Sequence, residues 1–473
     1  MKKISKILLA LAGTALLALA GSMAAMAAEV GSSVLSTTPI TKETFWGTRV
    51  MAVAVEYDKE FDAQEFALDT FIAEDLKDSE NADIGYIMTA YNNTRIYTND
   101  EAGFLDDEPK AGNFIIIEFE DDWKTCGEKG LGVLVVNYFY KDAEGNNKNQ
   151  NRWVKPNEGT VLQTADITAA DGTVIPAWKE AMPMTNDYLH TGNSTRFELV
   201  QIPREDLPDR PYNALVALPE DYDPSKKYPV IFQVTGISLQ EWKIGDVMNT
   251  DDVLYFDRHL TAWTEKERFG IEDVIVVSLR IMSPYGPYAG TPENYDNDMR
   301  HEDTAKAAYW FLDNYPIDRE RVYWTGQSYG SFATWHILHY HPDLATGFVA
   351  LNGGIQFQNV YDDPETSEQM KAELKEFLKP ILDNKVKLYI NFGEQDYNGC
   401  NAAALFAYEE VIIDYYMNEM GLTKNEVSEL LKTKLWTHSR FMYADGMTDH
   451  AVVRLIHWFD TDCKEMMDIV LNW

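Results

Sequence analysis

Beyond about Pro208, apolar strand-like runs alternate with helical segments, and this alternation limits the possible folds more tightly than any other feature of the chain. ALVALPEDYDPSKKYPVIFQVTG opens the pattern. DVIVVSLR then precedes a helical HEDTAKAAYWFLDNY, RVYWTG precedes SFATWHILHY, and GFVALNGG and VKLYINFGEQD each have a helical stretch after them. Strands joined through helices pair in parallel, and a parallel sheet must be covered on both faces, which is why such strands are apolar throughout. Residues 208–473 are therefore expected to form an α/β domain, a mostly parallel sheet with helices on both faces.

The preceding stretch reads differently. From about Leu35 to Arg204, β-branched and aromatic runs (GTRVMAVAVEYD, DIGYIMTAYNNTRIYTND, NFIIIEFED, GVLVVNYFYKDA, TRFELVQIPR) are separated by turn formers such as Asn92-Asn93, Glu144-Gly145-Asn146 and Asp171-Gly172. Short strands with this punctuation predict an antiparallel sandwich of immunoglobulin type over residues 35–204. Pro203 to Pro211, with three prolines and mixed charges, reads as the linker. Nothing in the N-terminal part looks like a reaction centre.

The first 27 residues have the form of a secretory signal. Lys2, Lys3 and Lys6 precede the apolar run Ile7 to Ala20, and Ala25-Met26-Ala27 supplies a cleavage site. That run is about 14 residues, short of the roughly 20 that span a bilayer. Export is expected, with no membrane anchor and no lipid attachment. The 76 acidic against 41 basic residues give a net charge of −35, a field that repels phosphate backbones and anionic headgroups. Nucleic-acid and membrane partners are thus not expected. Three cysteines, Cys126, Cys400 and Cys463, are too few for a disulfide scaffold or a Cys-rich metal site. Cys400 and Cys463 either pair or stand as buried thiols.

Gly326-Gln327-Ser328-Tyr329-Gly330 has the form G-x-S-x-G directly between an apolar strand and a helix. In that setting the strand turns sharply into the helix, and the serine is left at a strained corner with its Oγ exposed. The helix N-terminus adds N–H groups and a positive dipole end where an oxyanion would develop. The bland alternative is a turn serine capping the helix. A serine nucleophile needs a base, itself oriented by a carboxylate, and in this fold they follow in the order acid, then histidine. VKLYINFGEQD ends a strand in Gly393-Glu394-Gln395-Asp396, so Asp396 is the expected acid, with Glu394 as its substitute. His450, in YADGMTDHAVVRLIHWF before the last helix, is the expected base. His457 and His438 read as structural. His336, His339 and His341 read as the C-terminal end of a helix, where histidine suits the dipole, rather than as a metal site. PVIFQVTGIS ends a strand at Thr235-Gly236-Ile237, so the N–H groups of Ile237 and Tyr329 are the candidate oxyanion donors. The aromatics between Ser238 and Arg300, among them Trp242, Tyr285 and Tyr288, are candidates to line a substrate pocket. The rival reading is that most are core.

On KKYPVIFQVTG, YPIDRERVYWTGQSYGSFATW and the order of acid and histidine, the C-terminal part resembles the α/β-hydrolase esterases related to polyhydroxybutyrate depolymerases and feruloyl esterases. On WGTRVMAVAVEYDKEFDA and TRIYTNDEAG, the N-terminal part is similar to the immunoglobulin-like domain that some secreted bacterial esterases carry ahead of the hydrolase. The resemblance implies a secreted serine carboxylesterase with triad Ser328, Asp396 and His450. It acts on a small-molecule or polysaccharide-linked ester and requires no cofactor or metal. Two positions depart from the family: Thr235-Gly236 where His-Gly is usual, and Tyr329 where a small residue or Met is usual. A serine peptidase and a catalytically weak surface or glycan-binding protein remain the alternatives. Oligomeric state is not legible.

Overall fold

The computed structural model of the chain describes residues 33–44, 47–74, 92–105, 107–120, 135–141, 147–153, 159–186, 188–205, 208, 211–234, 257–279, 297–355, 364–396, 400–437 and 460–473. Two compact units divide it, Met1–Gly192 and Asn193–Trp473.

In the first unit the strands are β1 (Val34–Thr44), β2 (Gly47–Phe61), β3 (Phe71–Glu74), β4 (Asn93–Asn99), β5 (Gly112–Phe119), β6 (Val135–Lys141), β7 (Asn147–Trp153), β8 (Thr160–Gln163), β9 (Ile167–Thr168), β10 (Val174–Ile175), β11 (Met182–Pro183) and β12 (Leu189–His190). Five form one sheet in the order β12-β1-β2-β5-β4, three form another in the order β11-β8-β3, and β6–β7 and β9–β10 are two-stranded pairs. The side-chain period of two explains why Val50–Val55 of β2 is apolar throughout, since it faces a core on each side. Val53, Val55 and Tyr57 join a core with Ile115, Ile117, Phe71, Ala73 and Val161, which come from both larger sheets. Ala52 and Ala54 face the other way, with Ile40, Tyr97 and Ile116. The Tyr57 hydroxyl donates to Gln163 Oε1 at 2.8 Å inside the first core, and the Gln163 amide donates to Ala165 O at 2.8 Å. A buried polar pair is kept because each group has a partner.

The second unit holds β13 (Phe197–Ile202), β14 (Tyr212–Ala217), β15 (Tyr228–Val234), β16 (Ile275–Leu279), β17 (Ile317–Gln327), β18 (Gly347–Leu351), β19 (Lys387–Gly393) and β20 (Leu431–Trp436) in one sheet, ordered β13-β14-β16-β15-β17-β18-β19-β20. From β16 through β20 every neighbouring pair is parallel, and β14 is antiparallel to both of its neighbours. Its described α-helices are α1 (Asp257–Thr261), α2 (Lys266–Phe269), α3 (Asn297–Asn314), α4 (Tyr329–Tyr340), α5 (Pro364–Asp383), α6 (Ala402–Asp414), α7 (Lys424–Leu430) and α8 (Asp460–Leu471). Alternation along the central strands shows two covered faces. Phe232, Val322, Trp324, Phe348 and Ile390 share a core with Phe311 of α3, Trp335 of α4, Leu378 of α5 and Tyr408 of α6. Tyr323 points the opposite way, against Trp473 just beyond α8, with ring centroids 6.2 Å apart. This is the mostly parallel sheet, covered on both faces, that the apolar runs predict.

One strand falls on the other side of the expected boundary. Phe197–Ile202, grouped with the sandwich on sequence, pairs antiparallel with Tyr212–Ala217 at the edge of the eight-stranded sheet. Pro203 to Pro211, read as a linker, connects these two paired strands. An antiparallel edge strand has the same half-apolar pattern as a sandwich strand, so pattern alone does not assign it. Cys400 and Cys463 are buried thiols and not a disulfide; Cys126 and the proposed signal lie outside the described residues. Among the described residues, no helix is long and apolar enough to cross a membrane.

At the start of β17, Arg321 donates to Asp318 at 2.9 Å and to Glu272 at 2.7 Å. The Arg321 hydrogen bond holds the Asp318 carboxyl below its ordinary range. A carboxylate depressed in the folded state contributes stability that is complete above its unfolded value, about 3.9, and is lost as pH falls through the folded value. Asp318→Asn is therefore expected to reduce the drop in Tm between neutral pH and about pH 3. Thermal melts across that range check this, and an unchanged drop contradicts it.

Candidate active site

The site is built where β17 turns into α4. Gly326 is the last tight position of the strand, paired with Val234 of β15 on one side and Ala350 of β18 on the other. Two residues later Ser328 adopts φ 56° and ψ −123°, a conformation that L-residues populate rarely and that stores about 1–3 kcal/mol. The chain then enters α4 at once. Crowding at the corner explains the glycine before the serine: a Cβ on Gly326 would sit 2.6 Å from the carbonyl carbon of Gly330. The same holds behind the serine, where a Cβ on Gly353 would lie 2.2 Å from Ser328 O.

Hydrogen bonds hold the corner. Ser328 N–H donates to Leu351 O at the end of β18, 2.9 Å away, and Phe332 N–H donates to Ser328 O at 3.1 Å. From inside α4, Ser331 Oγ and Trp335 Nε1 both donate to the Gly353 carbonyl, at 2.7 and 3.1 Å. Ser328 sits at the helix N-cap position, yet its side chain makes no capping hydrogen bond. That removes the reading of this serine as an ordinary helix cap. The hydroxyl is half-buried at the carboxyl end of the sheet.

Under the elbow, on the sheet face away from α4, lies a buried polar chain. Ser278 Oγ donates to Gln233 Oε1 at 3.1 Å, Gln233 Nε2 is 3.3 Å from His259 Nδ1, and His259 Nε2 is 2.8 Å from Thr325 Oγ1. An amide nitrogen can only donate, so Nδ1 accepts and the neutral ring presents its Nε2–H to Thr325. All four side chains are buried. They tie β15, β16 and β17 together three residues before the serine.

Asp396 lies on the turn leaving β19, with β18 intervening between β19 and β17. Two strand spacings separate the two chain ends by about 10 Å, a gap that leaning side chains and one imidazole can bridge. The turn distinguishes its two acids. Asp396 is 3% exposed, while Glu394 is exposed to solvent. Asp396 N–H donates to Gly393 O, Ala402 N–H donates to Glu394 O, and Cys400 Sγ donates to Asp396 Oδ2 at 3.3 Å. The thiol contact has no signal in the sequence.

Tyr329 is the first residue of α4, ahead of the first intrahelical bond, so its N–H faces the end of the helix. Its ring is buried and stacks on Phe332, centroids 5.6 Å apart; burial pushes its hydroxyl pKa up. The bulk that departs from the family pattern is absorbed by packing. The three histidines of and beyond α4 are likewise engaged in packing or pairing. His336 lies among the rings of Phe332 and Phe377, His339 Nδ1 is 2.7 Å from Phe377 O, and His341 pairs with Glu302 at 2.7 Å. Among the described residues, no group of three or more His, Cys, Asp or Glu is placed to hold a metal ion. Trp263, in the aromatic-rich stretch, is core. His450, Ile237, Trp242, Tyr285 and Tyr288 lie outside the described residues, as do His438 and His457.

Residues 36–176 match the esterase Ig-like N-terminal domain, and residues 289–391, which contain the elbow, match the prolyl oligopeptidase family. No curated protein matches the chain in sequence. Among solved structures, a thermostable esterase is similar over 91% of this chain and 98% of its own, at 18% identity and a TM-score of 0.63. A ferulic acid esterase from Anaeromyces mucronatus is 18% identical over 56% of this chain and 91% of its own, with a TM-score of 0.34. An immunoglobulin-like domain is followed by an α/β-hydrolase domain.

Glycine has no Cβ to resist a positive φ, so relieving the strained corner should outweigh the usual entropic cost of introducing it. Ser328→Gly is expected to melt at or above Ser328→Ala, by the equivalent of about 1 kcal/mol. Paired thermal or urea melts decide it; a clearly less stable glycine variant contradicts the strain.

Proposed function

We propose that the chain is an exported serine carboxylesterase that works through an acyl-enzyme. Ser328 Oγ attacks the ester carbonyl while His450, oriented by Asp396, takes the hydroxyl proton. The N–H groups of Tyr329 and Ile237 hold the oxyanion of the tetrahedral intermediate. His450 then returns the proton to the departing alcohol. Water, deprotonated by the same imidazole, attacks the acyl-enzyme, and His450 returns that proton to Ser328 Oγ as the acid leaves. Apart from that water, each step uses groups of the chain alone.

The observation that carries this reading is the backbone of Ser328, φ 56° at the head of α4, in a corner braced from three sides. A protein has little reason to keep a strained, half-buried serine there unless the hydroxyl is used. A buried Asp396 at the carboxyl end of β19 adds support. The match of the N-terminal domain to one named for esterases favours an ester over an amide. The match to the prolyl oligopeptidase family keeps a peptidase as the second reading, since peptidases and esterases share this elbow. The substrate proposed is a small or polysaccharide-linked carboxylic ester. Trp242, Tyr285 and Tyr288 are proposed to line its pocket, and the N-terminal signal is proposed to be removed on export.

Hydrolysis of p-nitrophenyl acetate, butyrate and octanoate should proceed, and Ser328→Ala should reduce kcat by at least about 10³-fold while leaving the melt intact. Full activity in folded Ser328→Ala excludes the serine mechanism. Turnover of peptide p-nitroanilides in preference to these esters would instead make the enzyme a peptidase.

A further inference from the structure

The acid turn holds a group that the proposed mechanism does not use. Cys400 is completely buried, and its Sγ lies 3.3 Å from Asp396 Oδ2, within the range of a sulfur hydrogen bond. Only one of the two atoms can donate. Burial, together with the negative charge of Asp396, pushes the thiol pKa well above its ordinary value. The sulfur therefore keeps its proton at neutral pH and is the donor, and the carboxylate oxygen is the acceptor.

The surroundings make this contact directional. Asn401, the next residue, caps α6 by accepting from Ala404 N–H at 3.0 Å. Ala402 N–H donates back to Glu394 O. The turn from Gly393 to Asp396 is thus fastened to the start of the helix, and Cys400 projects from the fastened end onto the carboxylate. A carboxylate has two oxygens and can rotate about its Cβ–Cγ bond. A donor fixed on Oδ2 removes that rotation and leaves Oδ1 with one set of directions.

We infer that Cys400 is a positioning residue of this enzyme, its thiol clamping one oxygen of Asp396 so that the other is held at the angle the general-base histidine needs. This rests on the reading of Asp396 as the triad acid. A thiol is a weak donor, and that suits the task. It orients the carboxylate while withdrawing less of the negative charge that must stabilise the imidazolium than a charged donor would.

The test compares three substitutions at Cys400 with Asp396→Asn, all in the full chain and all on p-nitrophenyl butyrate. Cys400→Ala and Cys400→Val both lack the donor; the valine fills the volume that the alanine vacates, so it carries the test if the alanine variant does not fold. Cys400→Ser keeps a hydroxyl donor. In the folded donor-less variants kcat should fall about 3- to 10-fold with KM unchanged. Cys400→Ser should recover most of that loss even though a hydroxyl fits an apolar pocket less well than valine does. A purely structural role predicts the reverse order, with valine best and serine worst, and that order overturns the inference. Wild-type kcat in folded Cys400→Val overturns it as well. If Asp396→Asn abolishes turnover while Cys400→Val does not reduce it, the clamp alone fails and the acid stands. If Asp396→Asn keeps full activity, both fail.

Discussion

A short backbone corner controls the hydrolase domain. Between Gly326 and Gly330 the chain reverses from a central strand into a helix with no room for a side chain at its tightest point, and Ser328 is left in a conformation that L-residues avoid. The strain persists because neighbouring structure over-determines it. β18 takes the serine's N–H, two side chains of α4 grip the carbonyl of Gly353, and the Ser278–Gln233–His259–Thr325 chain fixes three strands beneath. The parallel sheet supplies the rigidity, and its carboxyl edge supplies the place where chain ends converge.

The same logic extends two strands along. The acid turn is stapled to the start of α6 through Asn401, Ala402 and Cys400, so that a carboxylate taken almost wholly out of water retains a defined orientation. Burying a carboxylate is unfavourable unless it is hydrogen-bonded, and the thiol is one of the groups that meet that need. Elbow and acid turn are thus built alike, each a polar side chain on a short turn whose backbone is tied to the next helix or strand.

Much of this was legible in the sequence. Alternation of apolar strands with helices gave the sheet, and G-x-S-x-G between RVYWT and SFATW gave the elbow, because both depend on local spacing. The edge strand Phe197–Ile202 was not assignable, since antiparallel strands look alike whichever sheet they join. The sequence favours Asp396 over Glu394 on the same turn without a decisive reason; the burial of Asp396 and exposure of Glu394 give one, and burial is a property of the folded chain. The Cys400 contact and the His259 chain carry no motif, because they depend on side chains that meet only after the sheet forms. His336, His339 and His341 had spacing that invites a metal reading, and their partners are aromatic rings, a carbonyl and a glutamate.

The central claim is that the hydroxyl of Ser328 is an activated nucleophile. The most direct measurement is to treat the native protein with a fluorophosphonate, digest it, and locate the phosphonyl adduct by mass spectrometry. Stoichiometric modification of Ser328 alone, lost when the protein is unfolded before treatment, is the expected result. No adduct on folded protein, or modification spread over several serines with Ser328 among the unlabelled, would contradict it.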